Sequence, residues 1–262
     1  MPRPPDQVIA ENARLSRVEA EVYDRNHFEI FHPWEQRRVR RALQRHRTAE
    51  RVLDVAAGTG NVITKVSAPT RIALDLSPDM LVQLLAKDRS IDAVTGLAQA
   101  LPFAECSFDV VLIYSAVHHL SDLTALAEMC RVLCPGGVLV VDHEESFRER
   151  GWKGTVYDGL RAMLRGLAWT WYWRRPVGRT LSAYRWVHWP FSPGFTSIDF
   201  FLTDGGRPDP FAVEAELRRL GMTVRRRHYL LAPLPMESVW QAASDAVCRR
   251  LRLGHFAIEA VR

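Results

Sequence analysis

Between Arg51 and Asp142 short β-rich runs alternate with helical patterns, a rhythm that admits few folds. The runs Arg51–Val55, Arg71–Asp75, Asp92–Thr95, Val110–Tyr114 and Val138–Val141 read as strands. Helices are expected near Asn61–Val66, Pro78–Ala86 and Asp122–Leu133, the last stopped by Pro135 and Gly136-Gly137. Strands and helices in this order build a parallel sheet covered on both faces. Upstream, Val8, Leu15, Val18 and Val22 fall at helical spacing, and Trp34–Gln44 forms a second helical pattern. Downstream the rhythm breaks: Glu144–Phe201 concentrates six of the eight tryptophans and looks like an insertion. It resumes with a helix near Phe211–Leu220 closed by Gly221, a strand Met222–Leu231, a helix near Ser238–Leu251 and a strand His255–Val261.

With 262 residues, 47% of them hydrophobic and 25% charged, the chain has an ordinary globular composition, which excludes a disordered or fibrous class. The net charge of +5 comes from arginine, since Lys65, Lys87 and Lys153 are the only lysines. That balance suits an acidic substrate, a nucleic acid or an anionic membrane surface without choosing among them. The runs Arg37-Arg38 with Arg40-Arg41, Arg174-Arg175 and Arg225-Arg226-Arg227 read as solvated faces rather than binding patches. Cys106, Cys130, Cys134 and Cys248 lack the two-residue spacing of metal ligands and read as reduced, mostly buried thiols, so no metal is expected. Met1–Gln7 carries no apolar stretch to serve as a signal peptide, and Val156–Trp173 contains Asp158, Arg161 and Arg165. A cytoplasmic protein without a membrane span is expected, with a surface-lying helix left open.

The chemistry is carried by Val52-Leu53-Asp54-Val55-Ala56-Ala57-Gly58-Thr59-Gly60-Asn61, a strand ending in a glycine-bearing turn that opens the next helix. Glycine lets backbone approach a ligand closely, and free amides at a helix start favour polar or anionic groups. Alone, such a loop is a weak sign of a nucleotide. Asp75 sharpens it, because a carboxylate at the end of the next strand, about 20 residues on, can accept bonds from two ribose hydroxyls. Together they point to an adenosine-type ligand.

In these residues the chain resembles the class I S-adenosylmethionine-dependent methyltransferases, in the small-molecule (type 11) branch that includes ubiquinone-biosynthesis, sugar and polyketide methyltransferases. Four segments carry the resemblance: Asp54–Gly60, Leu74–Met80, Ala100–Phe103 leading to Ser107-Phe108-Asp109, and Arg131–Gly137. It spans Arg51 to Asp142 and implies a Rossmann-like α/β fold, with a seven-stranded, mostly parallel sheet whose last strand is antiparallel. The implied division is an N-terminal helical lid (1–48), a cofactor-binding core (49–143), an aromatic-rich insertion forming a substrate lid (144–208) and the rest of the core (209–262). The implied cofactor is S-adenosylmethionine. Its methionine part would lie along Asp54, Gly58 and Gly60, with Ala56 in the same loop. Asp75 would hold the ribose with Leu76 beside it, Met80 would pack on the adenine, and the backbone at Ala98 and Gln99 would read the adenine edge. Tyr114 and Ser115 would face the sulfonium. Two positions depart from the family pattern: Ala56 stands for the usual first glycine, and Leu97 for an acidic residue that bonds the adenine amino group. Alanine is tolerated at position 56 if the backbone there keeps a negative φ.

Methyl transfer from a sulfonium needs alignment above all, and a base only where the acceptor holds its proton. Candidate bases are His118 and His119 after the fourth strand and His143, Glu144 and Glu145 after the fifth, all beyond the carboxyl ends of strands where ligands bind in open α/β sheets. The His-His-Leu run equally fits a helix cap or a backbone anchor. Tyr23 is expected as a lid residue near the methyl group, or as an anchor of its helix. The insertion, with Trp169, Trp171, Tyr172, Trp173, Trp186 and Trp189, suits a pocket for a hydrophobic or aromatic small-molecule acceptor, core packing, or membrane-surface contact. Nucleic-acid methyltransferases of related fold carry Asn- or Asp-Pro-Pro-Tyr/Phe after the fourth strand, where this chain has Tyr114-Ser115-Ala116-Val117, which argues against a nucleic-acid partner. Intact Gly58, Gly60 and Asp75 argue against a binding protein without transferase activity. Oligomeric state is not fixed by the sequence.

Overall fold

The computed structural model describes residues 5–27, 30, 31, 33–120, 122–145, 209–229 and 255–262. Helices α1 (Pro5–Glu19), α2 (Tyr23–Asn26) and α3 (Pro33–Gln44) precede β1 (Arg51–Val55), β2 (Thr70–Asp75) and α4 (Pro78–Lys87). Then come β3 (Asp92–Thr95), β4 (Phe108–Tyr114), α5 (Thr124–Val132) and β5 (Leu133–Glu145), followed later by α6 (Pro210–Arg219), β6 (Thr223–Tyr229) and β7 (His255–Val261). The strands form one seven-stranded sheet in the order β3-β2-β1-β4-β5-β7-β6. Strands β1 to β5 pair in parallel, and β7 runs antiparallel to β5 and β6. This is the expected α/β class. Strand order reverses at β1, flanked by β2 and β4, which opens a ligand crevice beyond the carboxyl ends of these strands. The expected tryptophan-rich insertion and the helix Ser238–Leu251 lie outside the described residues.

Each strand divides its side chains between two cores by simple alternation. Leu53 and Val55 of β1 and Val111 and Ile113 of β4 pack with α5 and α6 residues such as Leu126, Met129 and Leu217. Val52, Val110 and Leu112 face the other way, onto Val39 of α3 and Leu81 and Leu84 of α4. Helix starts are specified locally: Ser77 accepts from the Met80 amide ahead of Pro78, and Asp209 from the Phe211 amide ahead of Pro210.

Two expectations are corrected. Asn61–Val66 is not a regular helix; only a 3-10 turn, Ile63–Lys65, forms there. Val62, Ile63, Thr64 and Val66 are β-branched and Pro69 ends the segment, so too few helix-favouring residues remain for nucleation. The cysteines are not all reduced and buried, because Cys106 and Cys134 form a disulfide at the amino edge of the sheet. The amides of Cys106 and Ser107 donate to the carbonyls of Arg131 and Val132, which brings the two cysteines side by side. Cys130 is free and buried, and Cys248 lies outside the described residues.

Candidate active site

The loop after β1 turns by left-handed backbone: φ is 56° at Ala56, 54° at Gly58 and 83° at Gly60. The condition for tolerating alanine at position 56, a negative φ, is therefore not met, and its methyl group carries a strain of about 1–2 kcal/mol that glycine would not. At Gly60 a Cβ would sit 2.7 Å from Leu84 Cγ, so only glycine fits. At Gly58 nothing lies within 4 Å of that position, and the loop leaves open space beside its backbone. Asp54, buried at the end of β1, accepts from the Ile63 amide at 3.2 Å. Burial pushes its carboxyl up to about 7, with the Ile63 bond pulling the other way and the Asp75 charge adding to the rise. Asp75, at the end of β2, accepts from the Gly58 amide at 2.7 Å and the Ser77 amide at 2.8 Å, and burial raises its carboxyl against those bonds. Met80 and Ala98 are buried, Leu76 and Gln99 half-buried, and Leu97 bridges to Ala100.

The ends of β4 and β5 are built differently. Tyr114 shares the face of Val110 and Leu112, and its hydroxyl donates to Glu35 Oε1 of α3 at 2.6 Å. Burial, reinforced by the Glu35 charge, keeps that phenol protonated. Arg38 binds both Glu35 and Asp142, the latter through Nη1 at 3.0 and 2.7 Å from its two oxygens. Ser115 takes φ 51° and its amide donates to the Asp142 carbonyl. Val117–His119 forms a 3-10 turn in which His118 Nδ1 lies 2.9 Å from Glu144 Oε2 and the His118 and His119 rings are 4.0 Å apart. His143 lies on β5, with its side chain outside the described residues.

The N-terminal helices reach this edge. Asp24 accepts from Thr59 Oγ1 at 2.5 Å and pairs with Lys87 Nζ at 2.5 Å. Asn12 donates to the His119 carbonyl, Arg17 pairs with Asp79, and Gln36 donates to Asn61 Oδ1. Tyr23 stacks on His27, with ring centroids 4.3 Å apart. Sequence reasoning did not single out Glu35, Asp142, Asp24 or Thr59, and it placed Arg38 in a run fitting a solvated face, which is corrected here, since Arg38 is largely buried between Glu35 and Asp142. For Tyr114 a signal existed, since strand parity with Val110 and Leu112 places it toward α3. Among the described residues no group of three or more His, Cys, Asp or Glu is arranged to hold a metal ion, and no helix is long and apolar enough to cross a membrane.

An open α/β sheet with this strand order and an acid-lined crevice at its carboxyl edge is the fold of the class I methyltransferases. Residues 53–141 match the model of the methyltransferase domain family. A ubiquinone/menaquinone biosynthesis C-methyltransferase from Dinoroseobacter shibae is 39% identical over 106 residues, 36% of this chain and 42% of that protein. A demethylmenaquinone methyltransferase from Renibacterium salmoninarum is 45% identical over 95 residues, 35% of this chain and 40% of that protein. The chain thus spans about two fifths of the curated relatives it matches, which are 42% and 40% covered. Among solved structures, an S-adenosylmethionine-dependent methyltransferase from Thermotoga maritima, described as a possible histamine N-methyltransferase, superposes with TM-score 0.55 at 14% identity over 95% of this chain and 98% of that one, a likeness of fold. Residues 53–141 thus carry the likeness to a methyltransferase domain. The donor set fits that cofactor: Asp75 offers a carboxylate to ribose hydroxyls, Asp54 an acid that a ligand's ammonium would match, and Asn61 a buried Nδ2 without a partner among the described residues.

Proposed function

We propose that the chain transfers a methyl group from S-adenosylmethionine to a small acceptor with a hydrophobic or aromatic body. The observation that carries this is Asp75, a buried acid bonded to the Gly58 amide of a left-handed loop that keeps open space beside it. Bound there, the cofactor supplies an activated methyl group, and the protein aligns the acceptor and excludes water. Asp54, Ala56, Gly58, Gly60, Asp75, Leu76, Met80, Ala98 and Gln99 are the proposed cofactor-contacting positions. One relative is named for ubiquinone/menaquinone biosynthesis and the other for demethylmenaquinone, which makes a demethylated quinol the first acceptor to try. We assign acceptor recognition to the insertion 144–208 because its tryptophans suit an aromatic ligand. Calorimetry with S-adenosylmethionine and S-adenosylhomocysteine tests the first half, and failure to bind either overturns the proposal. Mass spectrometry of a panel comprising a short-chain demethylmenaquinol, simple phenols and primary amines tests the second, with methylation of the quinol or a phenol expected.

A further inference from the structure

On α1, α5 and α6 arginines meet an acid within one turn: Arg14 pairs with Glu11, Arg131 with Glu128, Arg218 with Glu214 and Arg219 with Glu216. Helix α3 departs from this. Val39 and Leu43 turn its apolar stripe onto the sheet, which leaves Arg37, Arg40 and Arg41, three and four residues apart, on the solvent side. With Arg47, just past the end of the helix, they are exposed and paired with no acid among the described residues. Glu35, the helix's one acid, is buried and taken by Arg38. Like charges at this spacing repel along a helix. The crowding of cations continues inward, since burial first, then the charges of Arg40 and Lys87, push Lys65 down to about 8. Helix α4 covers the same core as α3, with Leu81 and Leu84 beside Val39, so both helices turn their outer sides away from the sheet in one direction. Two valines project there. Val82 of α4 and Val18 of α1, which is tied to α4 through Arg17 and Asp79, are each 62% exposed, more than any other large hydrophobic side chain among the described residues.

We propose that this side of the protein, Arg37, Arg40, Arg41 and Arg47 together with Val18 and Val82, docks on an anionic lipid surface. The inference stands independently of the methyl-transfer reading. A bilayer of acidic lipids presents its phosphates as a continuous layer, which guanidinium groups spread along an exposed helix meet without the fixed cradle that a single phosphate needs. The valines add apolar area that reaches the boundary of the acyl chains, a contact that a nucleic-acid backbone does not return. The acids nearest this side do not oppose the approach, because Asp24 is paired with Lys87 and Asp79 with Arg17. Each unpaired arginine thus trades repulsion within the chain for attraction to the surface.

The test is flotation of the full chain with vesicles of phosphatidylcholine alone and of phosphatidylcholine mixed equally with phosphatidylglycerol, at low and at high salt. Binding to the anionic vesicles only, released by salt, is expected. The triple variant Arg37→Gln, Arg40→Gln, Arg41→Gln should lower the partition constant at least about tenfold at low salt. It should keep the wild-type melting temperature, since these side chains hold no partner in the fold. The double variant Val18→Ser, Val82→Ser should weaken binding only a few-fold and leave its salt dependence in place. Equal binding to both kinds of vesicle, or binding to neither, overturns the proposal. So does undiminished binding of the folded triple variant, which would move any lipid contact to another part of the chain. If the wild type prefers a duplex RNA, at equal phosphate concentration, to the anionic vesicles and the triple variant loses that preference, the face serves nucleic acid and the lipid assignment is wrong.

Discussion

Asp54 at the end of β1 and Glu144 at the end of β5 are equally hidden, 2% and 0% exposed, yet burial prevails at the first and is outweighed at the second. Asp54 receives one amide at 3.2 Å and rises to about 7. Glu144 receives two amides at 2.6 Å and an imidazole at 2.9 Å and falls. The number and charge of donors, rather than depth, set proton affinity. The same contrast holds between whole regions. Near β1 and β2 the charge of Lys65 acts on Asp54 without an ion pair between them among the described contacts, and Lys65 is itself pushed down to about 8 by burial and bonded to Asn61. Near β4 and β5, Arg38 spans Glu35 and Asp142. The β4–β5 end is satisfied by the chain itself, whereas acids at the β1–β2 end gain from a ligand that brings hydroxyls and an ammonium.

The sharpest way to break this contrast is Arg38→Met, which leaves Glu35 and Asp142 buried without their cation. A loss of about 3–5 kcal/mol in denaturant unfolding is expected, and a loss under about 1 kcal/mol would show that the pairing is not what holds α3 to the sheet. Next in size is Asp75→Ala, expected to weaken S-adenosylmethionine binding by about 1.5–3 kcal/mol, roughly ten- to a hundredfold, in calorimetry. Asp54→Asn keeps an acceptor for the Ile63 amide but removes the buried charge. The folded-state carboxyl lies at about 7 against 3.8 for a solvated one, so ionising it disfavours the fold increasingly between these values and fully above about pH 7. The variant should therefore melt higher than wild type at alkaline pH, with the gain vanishing near pH 4, and should bind the cofactor more weakly. The smallest effect is that of Ala56→Gly, which relieves left-handed strain but adds chain entropy on unfolding; a net gain of about 0.5–1 kcal/mol is expected.

The β1–β2 half of the site could be read from the chain because its information is local. Alternation marks the strands, and Asp54, Gly58, Gly60 and Asp75 sit at strand ends or in one loop. The β4–β5 half rests on partners far apart in sequence. Glu35 and Arg38 meet Asp142 only once α3 lies on the sheet, and Glu144 faces His118 only because the register slips. Periodicity carries neither fact. The backbone sign at Ala56 was likewise hidden, since alanine gives no signal of left-handed φ. Cys106 and Cys134 are 28 residues apart and meet through the start of β5. The segment Asn61–Val66 shows the opposite failure: a motif that usually opens a helix is overridden here by β-branched residues and Pro69.

The ties of α1 and α2 to the rest of the chain described above run through side chains: Asn12 to the His119 carbonyl, Arg17 to Asp79, and Asp24 to Thr59 and Lys87. Lifting these helices breaks no ladder bond of the sheet. Their amides should exchange with deuterium at a lower opening free energy than those of β1 and β4, as a separate cooperative unit. The glycine loop beneath them is then uncovered by local opening alone, while the sheet stays folded.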